Sequence, residues 1–175
     1  MIFVRDEDTV PYRTVRIRSL YISIFYSALP SALIGKSVPA NSLPGLNNPQ
    51  EFVTFPQTAT APYLVNYFAS WCAPCRAEAP SLALISEQMD IVGIAYKDKA
   101  EDTRTFLQSY GNPYRVIAMD SDGQAGLNWG VYGVPETYLI SADGKILLRH
   151  AGPLDMEIFR TLFLPEITKL KSDSS

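Results

Sequence analysis

Cysteine and histidine are scarce in this chain: two cysteines and one histidine among 175 residues. That scarcity excludes a four-ligand structural zinc site built from Cys and His alone. It also excludes a small scaffold stapled by several disulfides, which a chain of this length does not need. No long basic run is present and the formal net charge is −3, so broad electrostatic binding of nucleic acid is excluded as well. A long apolar run is missing too. The uncharged stretch Ser19–Gly35 contains Pro30 and four serines and falls short of the roughly 20 apolar residues that span a bilayer. Arg13, Arg16 and Arg18 precede it, in the order of an export signal or anchor, but Asp6, Glu7 and Asp8 sit poorly in such a leader. The alternative is an arm with no membrane role. Residues 1–36 are therefore read as a leader, and residues 37–172 as one domain.

Both cysteines lie in Trp71-Cys72-Ala73-Pro74-Cys75, directly after the apolar run Leu64–Ala69. A strand that stops at Trp71 places Cys72 at the start of the next helix. There the unpaired N–H groups and the helix dipole favour an anion, and the thiolate is the reactive form of cysteine. Cys72 is then the attacking thiol, expected to be the more accessible of the two. Cys75, one turn later and more covered, resolves the mixed disulfide. Pro74 stiffens the turn without costing a helical hydrogen bond. Two plainer readings stand beside this one. A structural bridge is possible, although closing so short a loop constrains little of the unfolded chain. A share in a metal site is the other, for which the chain offers only His150 in addition.

Periodicity places the remaining elements. A strand candidate at Glu51–Phe55 lies within a region rich in Pro, Ser, Asn and Thr. The strand Leu64–Phe68 leads to a helix over Ala73–Met89, expected to kink at Pro80. A strand at Ile91–Tyr96, a helix at Glu101–Tyr110, a strand at Arg115–Met119 and a helix at Gln124–Trp129 follow. Thr137–Ile140 and Lys145–Arg149 form a hairpin across Ser141-Ala142-Asp143-Gly144. A last helix spans Asp155–Lys171, disturbed at Pro165. The alternation indicates an α/β fold, a mixed sheet flanked by helices.

Other residues near the pair invite chemical roles. Glu78, one turn after Cys75, could exchange a proton with a thiol and raise its pKa, or be a solvated helix residue. Trp71 is either a wall beside the sulfurs or core packing. Arg76 either favours the thiolate or is an exposed helix charge. Val134-Pro135 before a strand suggests a special turn, and Glu136 beside it lies at the site or on its rim. His150 reads as structural or superficial.

Val65–Pro80 resembles the active-site segment of exported thioredoxin-like proteins. Trp129–Ile140, with its Gly-Val-Pro-Glu-Thr run, resembles the cytochrome c biogenesis branch, the DsbE or CcmG type of thiol:disulfide interchange protein. Ser31–Lys36, Tyr96-Lys97-Asp98 and Arg149–Gly152 fit that branch. The resemblance implies a thioredoxin-like fold with an N-terminal extension and an inserted segment. It implies that Pro135 is a cis-proline facing the CxxC, that the Val134 backbone pairs with bound peptide, and that Glu78 and Glu136 are acids near the site. It further implies a periplasmic reductant tethered to the inner membrane, with no cofactor beyond its own disulfide. Electrons would come from a membrane thiol transporter of the DsbD or CcdA type, and the substrate would be the CxxCH disulfide of apocytochrome c or its chaperones. One departure from cytosolic thioredoxin is Asn66, where that family has a buried aspartate. The residues themselves leave open a broader exported reductase, for instance in copper-site assembly, and a binding module whose disulfide is structural.

Overall fold

The computed structural model describes residues 32–57 and 59–173. The first elements are β1 (Asn41–Pro44) and β2 (Phe52–Phe55), an antiparallel ribbon with Ser42 opposite Thr54. Then come β3 (Tyr63–Phe68), α1 (Ala73–Ser86), β4 (Ile91–Tyr96), α2 (Ala100–Tyr110), β5 (Val116–Asp120), α3 (Gln124–Trp129), β6 (Glu136–Ile140) and β7 (Ile146–Ala151). The chain closes with α4 (Met156–Ile158), a π-helical turn (Phe159–Phe163) and α5 (Leu164–Asp173).

Strand order in the main sheet is β5-β4-β3-β6-β7, with β3, β4 and β5 parallel and β6 and β7 antiparallel to their neighbours. This is the mixed sheet that the alternation of elements predicts. The central β3 is buried at all six positions, as a strand covered on both faces must be. Side chains alternate between those faces. Leu64 and Phe68 join Leu82, Ile85, Phe106, Phe159 and Phe163 in one core. Tyr63, Val65 and Tyr67 join Trp129, Tyr138 and Phe55 in the other. Asn66 falls on the first face, beneath α1, as the one polar residue of the strand.

Several boundaries differ from the expected ones. Strand β1 has no counterpart in the sequence reading, because Asn-Ser-Leu-Pro carries no β-branched residue to announce it. Helix α1 ends at Ser86 rather than Met89, where Gln88 and Met89 both donate N–H to the Ile85 carbonyl. It runs through Pro80. The last helix is broken, as expected near Pro165, but by a π turn before the proline. Pro165 has no N–H for the carbonyl four residues earlier, and the wider turn places the stacked rings of Phe159 and Phe163 in the core.

The expected leader falls on residues 1–36, of which 1–31 lie outside the described residues. The rest belongs to the domain. Gly35 N–H donates to the Ile146 carbonyl (2.7 Å), Ile146 N–H donates to Lys36 (2.9 Å), and Leu33 packs on the second core. Among the described residues no helix is long and apolar enough to cross a membrane.

Candidate active site

Strand β3 delivers the chain to the cysteines, and a buried carboxylate fixes the turn that follows. Asp98, just past β4, accepts from Ser70 N–H (2.7 Å) and Ser70 Oγ (2.8 Å), and also from Thr103 Oγ1 and Lys99 N–H. Next to it, Trp71 Nε1 donates to the Lys97 carbonyl (3.2 Å). Trp71 is 58% exposed, so it is a surface ring and not core packing. It lines a shallow groove with Ser70, Arg76, Phe106 and Tyr110. Arg76 is exposed.

Cys72 is the N-cap of α1, with extended backbone. Its sulfur accepts from the Cys75 N–H at 3.1 Å, so one of the helix's unpaired donors points at the reactive atom, as the helix-start argument requires. The two cysteines are joined as a disulfide. Both are buried, at 3% and 2%, so the expected difference in accessibility is absent. Hydrogen bonding and position separate them instead. Across from α1, the Val134–Pro135 peptide is cis, and the Val134 carbonyl oxygen lies 3.5 Å from Cys72 Sγ. A disulfide sulfur has no proton to donate, so this is a contact in the oxidised form; the Cys72 thiol can donate there once reduced. Pro74, Tyr132, Val134, Pro135 and Pro153 line a groove of about 310 Å³ beside the pair. A larger concavity of about 490 Å³, at Tyr63, Met89, Asp90 and Arg115, lies at the far end of β3 and has no part in this site.

Glu78 is buried, not solvated. Its Oε1 accepts from Asn66 Nδ2 (3.1 Å) and its Oε2 from Leu154 N–H (2.8 Å). Burial pushes its pKa up to about 7, against the opposing pull of those two donors. Asn66 is itself saturated: Nδ2 also donates to Thr137 Oγ1 (3.0 Å), and Oδ1 accepts from the Tyr114 hydroxyl (2.8 Å).

Glu136 is buried too, but in a different set of partners. Arg149 grips it in a bidentate pair, Nε to Oε2 (2.9 Å) and one terminal nitrogen to Oε1 (2.8 Å). Tyr132 N–H and the Tyr138 hydroxyl supply two further bonds. The Arg149 guanidinium also lies 5.0 Å from the centre of the exposed Tyr132 ring. These contacts brace the loop that carries Val134 and Pro135. His150 is buried on β7, its Nε2 3.3 Å from the Pro153 carbonyl, and burial lowers its pKa. Among the described residues no three acidic, Cys or His side chains cluster as metal ligands would.

Sequence reasoning missed Asp98, Tyr114, Thr137 and Arg149 as parts of this site. Asp98 carried a signal, an acid just before the first turn of a helix. Thr137 and Arg149 lay in stretches that carry the resemblance, but their roles, like that of Tyr114, depend on partners from distant strands.

The protonation of Glu78 has a measurable consequence. Its pKa in the fold is near 7 against an ordinary 4.5, so the folded state holds the proton more tightly than the unfolded chain. The stability it contributes is therefore full below about pH 4.5 and is lost as pH rises through about 7, an effect of about 3 kcal/mol. Urea unfolding of the oxidised protein should show this loss, and Glu78→Gln should flatten it. An equal loss in both proteins would assign the effect to another group.

Residues 33–161 match the family model described as Redoxin. The chain belongs to that family. Within it, the chain is 41% identical over 149 residues to the thiol:disulfide interchange protein DsbE of Escherichia coli K12, covering 84% of this chain and 80% of that one. It is 41% identical over 146 residues to the DsbE homolog of Paracoccus denitrificans, covering 81% and 79%. A crystal structure of a DsbE protein from Chlorobium tepidum superposes with a TM-score of 0.59 at 25% identity, over 78% of this chain and 91% of that one. The sheet order described above is thus that of a thioredoxin-like Redoxin domain, and this protein is a DsbE-type thiol:disulfide oxidoreductase, the Cys72–Cys75 disulfide being its CxxC pair.

Proposed function

We propose that the protein is an exported reductant of the bacterial periplasm that delivers electrons to the CxxCH disulfide of apocytochrome c, or of its maturation chaperones, before haem attachment. The Cys72–Cys75 pair serves as its only redox group, without a further cofactor. A membrane thiol transporter of the DsbD or CcdA type regenerates the dithiol, and the N-terminal segment tethers the domain to the inner membrane. The cytochrome assignment draws on the likeness of Trp129–Ile140 to that branch. The observation that carries a reductant is the combination of Cys72 at a helix N-cap with a buried carboxyl group, Glu78, one turn after Cys75 on the same helix.

The chemistry balances within these groups. The Cys72 thiolate bonds to one sulfur of the substrate disulfide, and the substrate S–S bond breaks. The other substrate sulfur leaves with the electron pair and takes up a proton. Cys75 then gives its proton to the Glu78 carboxylate and attacks Cys72 Sγ. The mixed disulfide breaks, the second substrate thiol departs with a proton, and the pair is left oxidised. Two electrons pass from the dithiol to the substrate. Val134 offers its backbone to the peptide beside the pair. A carboxylate near the thiols disfavours a second negative charge there, so the dithiol is not stabilised as thiolate in the way of a strong oxidant.

Equilibration of the couple with dithiothreitol or glutathione buffers tests the direction. A potential near or below about −270 mV is expected; a value near −120 mV would indicate a disulfide-forming oxidant. A bridge that does not exchange at all would leave only a binding module.

A further inference from the structure

The hydrogen-bond chain behind Glu78 runs through Asn66 to Tyr114, a residue with no signal in the sequence. Tyr114 lies in the connection between α2 and β5, buried, with its ring stacked on Phe68 (centroids 4.6 Å apart, 22° between planes). The ring rests over Gly93 of β4, where a Cβ would come within 2.8 Å of Tyr114 Cγ. Gly93 is also the residue paired with Asn66 across the parallel strands. The missing side chain at Gly93 therefore lets the tyrosine lie flat and bring its hydroxyl to Asn66 Oδ1.

We infer that Tyr114 is a positioning residue for Glu78: its hydroxyl holds the Asn66 amide so that N–H, rather than C=O, faces the carboxyl group. This assigns regulation within the site proposed above and rests on Glu78 as the proton acceptor. Asn66 is fully buried, so both ends of its amide need partners. In the observed orientation Nδ2 serves Glu78 and Thr137, and Oδ1 is served by Tyr114. Turning the amide over would set its oxygen against a carboxylate oxygen about where Nδ2 now stands. Without the tyrosine hydroxyl, either orientation leaves one buried polar group unpaired, and the bond that supports the ionised Glu78 weakens.

The charge state of Glu78 is set by burial and by its two donors, Asn66 Nδ2 and Leu154 N–H; three other titratable groups lie on the elements around it. Cys75 lies one turn before it on α1. His150, on β7, pairs in register with Thr137. Asp155 follows Leu154 and caps Ile158 N–H. Tyr114 feels the negative charge of Glu78 directly, which adds to the effect of burial in raising its own pKa, so the hydroxyl stays protonated and available as a donor.

The test follows Glu78 by carbon-13 NMR of glutamate-labelled, oxidised full-length protein, with Glu78→Gln to assign its signal. Tyr114→Phe should move the midpoint upward by about half a pH unit or more, and the pH at which the reduction potential changes slope should move with it. Phe68→Leu loosens the same stack but keeps the hydroxyl, and it should lower stability while leaving the midpoint in place. An unchanged midpoint in Tyr114→Phe, or an equal shift in Phe68→Leu, would overturn the assignment. If the midpoint moves but the potential profile does not, Tyr114 is upheld as the positioning group and Glu78 is removed from proton transfer to the pair.

Discussion

Replacing Cys72 by serine should abolish disulfide exchange, whereas replacing Cys75 by serine should leave the first step intact and stop the second. The asymmetry follows from the geometry at the start of α1. Only Cys72 occupies the N-cap, where the Cys75 N–H reaches its sulfur and the helix dipole favours negative charge. A serine hydroxyl at Cys72 stays protonated and is a poor nucleophile toward sulfur, so turnover should fall to background. With serine at Cys75 the thiolate of Cys72 still attacks, but nothing displaces the substrate from it. A mixed disulfide should then accumulate stoichiometrically, visible by mass spectrometry with any peptide disulfide. Trapping by Cys72→Ser in place of Cys75→Ser would reverse the two roles. Both residues are equally buried in the oxidised fold, so the difference between the two variants comes from the N-cap and not from accessibility.

Arg149→Met should be the most damaging change away from the cysteines. The Arg149–Glu136 side chains are 6% and 2% exposed, and the methionine would leave a buried carboxylate without its counter-ion. Breaking one side of such a pair costs about 3–5 kcal/mol, which for a chain of this size lowers Tm by roughly 10 °C. Glu136→Gln should cost less, because the amide oxygen still accepts from a neighbouring donor. Adding Glu136→Gln to Arg149→Met should restore part of the stability by removing the unpaired charge. Urea unfolding of the three variants measures this directly. A loss under about 1 kcal/mol for Arg149→Met would mean that water reaches Glu136 and screens it as it does a surface pair. The loop from Tyr132 to Pro135 hangs on the same carboxylate through the Tyr132 N–H. The single variant should therefore also slow exchange at saturating peptide, and a thermal effect without a kinetic one would separate the brace from the site.

The comparison of Glu78 with Glu136 shows how far local sequence reaches. Both acids read as neighbours of the redox pair. In the fold, one is a partly protonatable group hydrogen-bonded by a strand amide and a distant backbone N–H. The other is locked by an arginine. Spacing from Cys75 could place Glu78 one turn along the helix, yet it could not say that Leu154, 76 positions away, would supply a donor. Trp71 is the reverse case: an aromatic that reads equally well as core or wall stands at the surface, because Ser70 is drawn to Asp98 and the indole to the Lys97 carbonyl.

The sequence by itself determined the CxxC pair, its place at the junction of a buried strand and a helix, the order of strands and helices from β2 onward, and the disturbance near Pro165. Each depends on groups within a few residues of one another: a cap, an apolar period, a proline without N–H. Tertiary structure alone decided the protonation of Glu78, the ion pair that holds Glu136, and the approach of the Val134 carbonyl to Cys72. Burial and hydrogen bonding at those atoms come from chain segments 12 to 76 positions apart. The free energy of a charge depends on what surrounds it in space, and only the packed sheet brings those surroundings together.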